Sequence, residues 1–450
     1  MSHEVWIDDV QAGNFSVDVR PGFQKPSMTF TYLDEWLSDS RAFPISPDLP
    51  LKRGPHTPAS HRTTFLAFDD AAPDSWGRNL LDAGLRKRAR TEGARFVSPS
   101  EIELLLAVDD ETRQGALRFR KSGTFLADEH LSAAIHEIPK LVDAAQRFTE
   151  SGEIDEAVTE LIGVGSSPGG AQPKAWVRDD SGEMHLAKFP RNSDTTDVSA
   201  WELATIRMQR RAGIHVQESS TVSLGASRSV LLTRRFDRDA GHRIPYMSFR
   251  SAFALGQHEH PDYATLARRV ATVSANPSAD AAELFSRAAF IAMANNIDDH
   301  MRNHGLLHRG NGWRLAPSFD VNPSRTGRSD TPLTPEDDPG DRDVRLLVKH
   351  SEDFRLTRPE AIQRIRTIDA ALSHWREEAM AAGVEPDALE FMAKAFEGEH
   401  RDRAADVRDS SPTMIDLASG RPSSVPGEVW VRPHSRNGRL IDGHFRRRSQ

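Results

Sequence analysis

Residues 295–320, NNIDDHMRNHGLLHRGNGWRLAPSFD, concentrate groups that can hold a divalent cation and move a proton. Asp298, Asn303 and Asp320 offer two carboxylates and an amide oxygen, a hard-oxygen set suited to Mg²⁺ rather than to a soft metal. His300, His304 and His308 recur every four residues, which on a continuous helix would align them as the ligands of a His/Asp metallohydrolase. Gly305 and the strand-like Leu306-Leu307 argue against that helix, and strand-end polar packing is the plainer reading of His304 and His308. Upstream, Lys188 is embedded in MHLAKFP, where a lysine must snorkel to water or meet an anion. The competing reading is an edge-strand lysine that discourages aggregation. Glu202, in SAWELATIRMQRRAGI, can pair with Lys188 or complete a capping box with Ser199. Ahead of both, Gly163, Gly165, Gly169 and Gly170 in GVGSSPGGAQPK form a flexible loop able to bring backbone N–H groups close to a phosphate. The loop lacks the Lys-Ser/Thr ending of a Walker loop.

The elements that must position these groups follow from local patterning. Residues 281–294, AAELFSRAAFIAMA, are apolar on nearly every face and read as a buried helix, so polar chemistry begins abruptly at its C-terminal end. Beyond Asn303, GLLH and WRLAP flank Arg309-Gly310-Asn311-Gly312, a hairpin signal. Centred on Gly310 and Asn311, that hairpin sets Asn303 roughly opposite Ser318 and brings Asn303 and Asp320 to one end, beside Asp298. KAWVR and MHLAKF read as a second hairpin around Asp179-Asp180-Ser181-Gly182, followed by a helix closed by Gly213 and by a strand, TVSLGASRSVLLTRRFDR. HLSAAIHEIPKLVDAAQRF and DEAVTELI read as amphipathic helices.

The first segment carries less legible chemistry. VWIDDVQAGNFSVDV reads as a hairpin around Gly13-Asn14, AFPISPDLPLKRGPHTP as an extended Pro-rich run, and a helix starts near Asp74 or Ser75. The acids Asp69 and Asp70 read as turn or capping residues. Towards the C-terminus, SDTPLTPEDDPGDRD reads as a mobile acidic loop and RDSSPTMIDLASGRPSSVPG as a linker. The last stretch reads as a basic hairpin around Asn437-Gly438, with six Arg against two acids from Glu428 onward. It suits a nucleic-acid or acidic partner, or equally a solvated tail.

With 450 residues, the chain has material for two to four lobes. A net charge of −8 argues against a surface that binds nucleic acid globally. The absence of cysteine excludes disulfides, thiolate zinc sites and a cysteine nucleophile. No apolar run approaches the roughly 18 residues of a membrane span, and MSHEVWIDDV lacks the basic start and apolar core of a signal peptide. A cytoplasmic location, with no membrane partner, is expected.

Taken in chain order, the Gly loop, Lys188, Glu202, Asp298, Asn303 and Asp320 reproduce the protein kinase arrangement. There a Gly-rich loop covers the phosphates, a strand Lys holds them, a helix Glu orients that Lys, and a catalytic Asp stands five positions before a metal-binding Asn. The stretches FDDAAPDSWGRNLL, GALRFR, SSPGGAQPKA, HLAKFP, RRFDR, NNIDDHMRNHGLL and WRLAPSFDVNP resemble the HipA family of bacterial serine/threonine kinase toxins, over about residues 1–400. Against the kinase expectation stands a non-enzymatic, kinase-like scaffold that binds an antitoxin and DNA, and the intact set of polar residues weighs against it.

The resemblance implies an α+β, two-lobed, protein-kinase-like fold. Residues 1–125 would form a HipA-type N-terminal subdomain, 126–240 the N-lobe with its Gly-rich loop, 241–405 a mainly helical C-lobe, and 406–450 a linker and basic tail. It implies ATP and Mg²⁺ as cofactors, Asp298 as base, Asn303 and Asp320 as Mg²⁺ ligands, and Lys188 on the α/β-phosphates with Glu202 behind it. Gly169, Gly170, Phe236 and His300 would stand at the nucleotide. Ser167, or its neighbour Ser166, falls at the family's inhibitory autophosphorylation site. The acceptor would be a protein Ser or Thr, with translation factors and aminoacyl-tRNA synthetases as the substrate classes suggested. The partner would be a helix-turn-helix antitoxin that tethers the complex to operator DNA. The chain departs from some members at Asp299, where they have Gly, and at Arg234, where they have an acid.

Overall fold

The computed structural model describes residues 2–18, 27–127, 133–152, 154–165, 171–225 and 228–409, and four short strands between 428 and 447. The chain opens with a six-stranded antiparallel sheet, ordered Pro55–His56, Ser27–Tyr32, Val10–Asp18, Ser2–Ile7, Leu117–Lys121 and Thr124–Phe125. Period-two alternation in Ser2–Ile7 buries His3, Val5 and Ile7. Phe15, Phe30 and Phe119 from this sheet meet Phe68 of the helix Leu66–Ala71 edge-on, with ring centroids 5.4 to 6.4 Å apart. The first hairpin does not turn at Gly13-Asn14. It turns at Asp8 and Asp9, with Asp8 at φ +55, while Gly13 lies within a strand opposite Val5 and Tyr32. A Cβ at Gly13 would sit 2.4 Å from the Phe30 ring, so close packing rather than a turn requires this glycine.

A second, five-stranded sheet runs Ser219–Gly225, Arg228–Arg234, Met184–Lys188, Lys174–Arg178 and Ala133–Ala134. The stretch 221–238, expected as one strand, is in fact a hairpin and its sequel. Alternation gives the sheet two different faces. Ala175, Val177, Ala187, Val230 and Leu232 pack in one core with the helices Ile138–Ser151 and Glu156–Gly165. Trp176, Leu186, Lys188 and Thr233 point the other way, into a cleft. Gly163 and Gly165 belong to the helix Glu156–Gly165 rather than to the glycine loop, and a Cβ on Gly165 would lie 2.9 Å from Leu80.

Below the cleft, the helices Tyr263–Val273, Pro277–Met293 and Arg358–Leu372 build a helical lobe. Pro277–Met293 is buried at Asp280, Ala281 and Ala282 and throughout 284–293, as its apolar faces predict. A three-stranded sheet, Tyr246–Ser248, Gly305–Arg309 and Gly312–Leu315, lies beside it. One continuous apolar core joins the first sheet, the helix Val198–Arg211 and this lobe. The acidic stretch 329–343 is packed rather than loose. Thr331, Leu333 and Thr334 are fully buried, and Asp337 accepts from the backbone N–H of Leu333 at 2.9 Å and of Asp343 at 3.0 Å. Its acids satisfy backbone donors, which composition alone does not reveal. Of the expected linker, Arg408 and Asp409 close the helix Glu399–Asp409 and the rest lies outside the described residues, as does the Asn437-Gly438 turn. The strands on either side of that turn, His434–Arg436 and Arg439–Ile441, pair antiparallel.

Candidate functional site

Lys188 sits in a central strand, which removes the edge-strand reading. Its Nζ donates to Glu202 Oε1 at 2.7 Å and to Asp320 Oδ1 at 2.6 Å. Burial would lower the Lys188 pKa, but the two carboxylates outweigh it and hold the ammonium above its ordinary range. The Asp320 carboxyl, which burial would raise, is held below its ordinary range by Lys188 and Lys174. The open choice at Glu202 is settled by the cap: Asp197 caps the helix Val198–Arg211, accepting from Ala200 N at 3.1 Å, and Glu202 is free to turn to the sheet. That helix is fixed on its far side, where Trp201 packs against Trp375 and Phe396 with centroids 6.2 and 6.0 Å away. Thr205 Oγ1 donates to the carbonyl of Val321 at 2.6 Å, which ties the helix to the segment carrying Asp320.

The paired acids after the buried helix divide their labour. The Asp298 side chain is 84% exposed to the cleft, with His300 Nε2 4.0 Å away. Asp299 is buried: it accepts from Tyr263 Oη at 2.8 Å and pairs with His304 Nε2 at 2.9 Å, and its carbonyl accepts from Thr331 Oγ1 at 2.5 Å. Burial works to raise the Asp299 carboxyl, yet the His304 contact and Arg342 hold it below the usual range. Asp299 thus pins the loop that presents Asp298. Asn303 closes the loop, its Nδ2 donating to the Asp298 carbonyl at 3.1 Å and its backbone N to the His300 carbonyl at 2.8 Å.

The hairpin beyond Asn303 has the expected register, Leu306 opposite Leu315 and Arg309 opposite Gly312. Its pairing ends before Asn303, because Ser318 turns away to bond His215, so the two strands part instead of holding Asn303 and Ser318 face to face. Asp320, at φ +58, nonetheless returns to the same space. Lys188, Glu202, Phe236, Asp298, His300, Asn303 and Asp320 all line one cleft of about 980 Å³. Phe236 stacks on Phe319, centroids 5.7 Å apart. Ser166, Ser167, Gly169 and Gly170 lie outside the described residues.

The three histidines do not share a helix face. His304 is buried against Asp299, and His308 stacks on Phe43 at 4.0 Å, so the metallohydrolase geometry is absent. The oxygens left facing the cleft fit a hard cation. Asn303 spends its Nδ2 on the loop and lines the cleft, as does the partly exposed Asp320, so an amide oxygen and a carboxylate are available there.

Local reading missed three groups that complete the site. Asp74, the N-cap of the helix Ser75–Thr91, bonds the fully buried Lys174 Nζ at 2.8 Å. Asp70 is no turn residue: its oxygens take the backbone N and Oγ of Ser248 at 2.8 and 2.7 Å. Asp237, flanked by Arg235 at 2.5 Å and Arg238 at 3.1 Å, accepts from Gly115 N at 2.5 Å. Each ties the first segment to the lobes around the cleft. The only sequence signal was their position inside FDDAAPDSWGRNLL and RRFDR.

Comparison with known proteins gives the same architecture. The family model for the HipA N-terminal domain matches residues 3–120, and that for the HipA-like C-terminal domain matches residues 166–396. A Sinorhizobium fredii (strain NBRC 101917 / NGR234) protein named "Putative kinase Y4mE" is 26% identical over 347 residues, covering 70% of this chain and 76% of the relative. Among solved structures, HipA of Shewanella oneidensis MR-1, in complex with HipB and its operator DNA, superposes with a TM-score of 0.60 at 16% identity. The match covers 91% of this chain and 100% of the Shewanella chain and shows a shared α+β, two-lobed, kinase-like fold. With family models spanning both its N-terminal segment and more than half of its length, the chain belongs to the HipA family.

Proposed function

We propose that this chain is an ATP-dependent serine/threonine protein kinase, the toxin of a bacterial toxin–antitoxin pair. The observation that carries the reading is Lys188 bridging Glu202 and Asp320 within the cleft that also presents Asp298 and Asn303. In this reading Lys188 binds the α/β-phosphates, Glu202 keeps it extended, and Phe236 and His300 border the nucleotide. Asn303 and Asp320 would hold Mg²⁺, which would neutralise phosphate charge as it develops. Asp298 takes the proton of the acceptor hydroxyl, whose oxygen attacks the γ-phosphorus while ADP departs. Positioning and electrostatics supply most of the rate in such transfers, which is why the buried supports of the site matter. Gly169 and Gly170 cover the phosphates, and Ser167 or Ser166 accepts the inhibitory phosphate. The Shewanella complex supports a helix-turn-helix antitoxin and, through it, operator DNA as partners. Translation factors or aminoacyl-tRNA synthetases are the substrate classes to try first.

Purified protein incubated with γ-labelled ATP and Mg²⁺ should acquire acid-stable phosphoserine or phosphothreonine, with label mapping to Ser166 or Ser167. Failure both to bind ATP and to transfer label would reject the reading.

A further inference from the structure

The cleft's volume of about 980 Å³ lies at the top of the range of roughly 300 to 1,000 Å³ usual for small-molecule sites. It therefore has room beside a nucleotide for part of a second substrate. The wall next to Asp298 carries two arginines, Arg250 and Arg302. Arg250 is anchored by its backbone N to the Met301 carbonyl at 3.0 Å, which sets it beside the loop that presents Asp298. Arg302 is exposed on that loop, one residue before Asn303. Among the described residues neither guanidinium has a hydrogen-bonded or ion-paired partner, and a third arginine, Arg62, lines the same space. Burial and the neighbouring Arg302 together disfavour the charge on Arg250; Asp69 and Asp70 act the other way but form no ion pair or hydrogen bond with it, so the crowded cations are only partly offset.

The acids nearby are already committed. Asp69 is paired with Arg62 and Thr64, Asp70 with Ser248, Glu101 with Arg78, and Glu259 with the Gly256 backbone N. Among the described residues of this wall, the exposed Asp330 and Asp298 are the carboxylates with no side-chain hydrogen bond. Two neighbouring guanidiniums without a direct partner, one half-buried and one exposed, are a receptor for an anionic side chain.

We infer that Arg250 and Arg302 form the acceptor-specificity subsite of the cleft, selecting a protein segment in which the Ser or Thr is flanked by acidic or phosphorylated residues. This rests on the kinase reading for its meaning, but binding of such a segment can be measured without any phosphoryl transfer.

The test uses the full chain and fluorescent synthetic peptides that differ only in the residues flanking one Ser: aspartate, phosphoserine or lysine. Anisotropy titrations should show the aspartate peptide binding at least about tenfold more tightly than the lysine peptide, with the advantage shrinking as salt is raised. A larger advantage for the phosphoserine peptide assigns the subsite to phosphate, an equal one to carboxylate. Arg250→Glu with Arg302→Glu should abolish or reverse the ranking. Equal binding of all three peptides by the wild-type chain, or a preference for lysine, overturns the inference without recourse to any variant. A labelling assay run in parallel reports separately on the kinase reading: absent transfer with selective acidic-peptide binding would sink that reading alone.

Discussion

Lys174 and Lys188 lie directly opposite each other on adjacent strands, yet their charges are balanced by different parts of the chain. Lys188 is held by Glu202 and Asp320, while Lys174 is held by Asp74, a hundred residues earlier, at the start of a helix that belongs to the N-terminal segment. Two buried cations side by side would repel strongly in so dry a place. Asp74 therefore stabilises the floor of the cleft as much as it caps its own helix.

Asp74→Asn tests that link while keeping an oxygen that can still accept from Gly77 N. The variant leaves a buried ammonium without its counter-charge, and the expected loss is about 3–5 kcal/mol in denaturant unfolding. Combining it with Lys174→Met should restore much of that loss. An Asp74→Asn protein as stable as wild type would show that the pair does not hold the segment in place.

Acid should loosen the junction at Asp237. Burial alone would raise this carboxyl, but Arg235 and Arg238 outweigh it and bring it down from 3.8 to about 2. A folded-state value below the unfolded one means the contribution is complete above pH 4 and disappears as pH falls towards 2. The shift corresponds to roughly 2 kcal/mol. Urea titrations across that window should show a shallower acid slope for Asp237→Asn than for wild type, and identical slopes would contradict the assignment.

Asp299→Ala removes the carboxylate shared by Tyr263 Oη and His304 Nε2, two buried groups that then keep only their mutual contact at 3.0 Å. The lost buried hydrogen bonding costs about 1–3 kcal/mol. Because Asp299 is buried and spends its carboxylate on Tyr263 and His304, which hold the loop, phosphoryl transfer should fall while the affinity for ATP changes little. Equal losses in both would place Asp299 at the nucleotide instead.

What could be read from the sequence was what short-range pattern encodes. The spacing of Asp298 and Asn303, the hairpin signal at Gly310-Asn311 and the strand around Lys188 are all local, and the elements formed where local chemistry placed them. Glu202 could not be resolved locally, since Ser199 stood at capping distance. Only the tertiary packing of Trp201 and the cap at Asp197 turn it towards Lys188. Gly13 misled because glycine serves close packing as well as turns, and the Phe30 ring that demands it lies on another strand. The stretch 329–343 looked loose by composition, but Asp337 converts it into a knot of backbone hydrogen bonds. The Asp74–Lys174 and Asp237–Gly115 contacts join residues a hundred or more positions apart, and no periodicity announces them.

The proposed role of Asp298 as the base of phosphoryl transfer is tested by the initial rate of label transfer from γ-labelled ATP by Asp298→Asn beside wild type, at matched nucleotide occupancy. Because the Asp298 side chain is exposed and its ion-pair contact is the long one to His300 at 4.0 Å, the variant should fold and bind ATP as wild type does while transfer falls by about 10²- to 10⁴-fold. Transfer by Asp298→Asn at the wild-type rate would contradict the account.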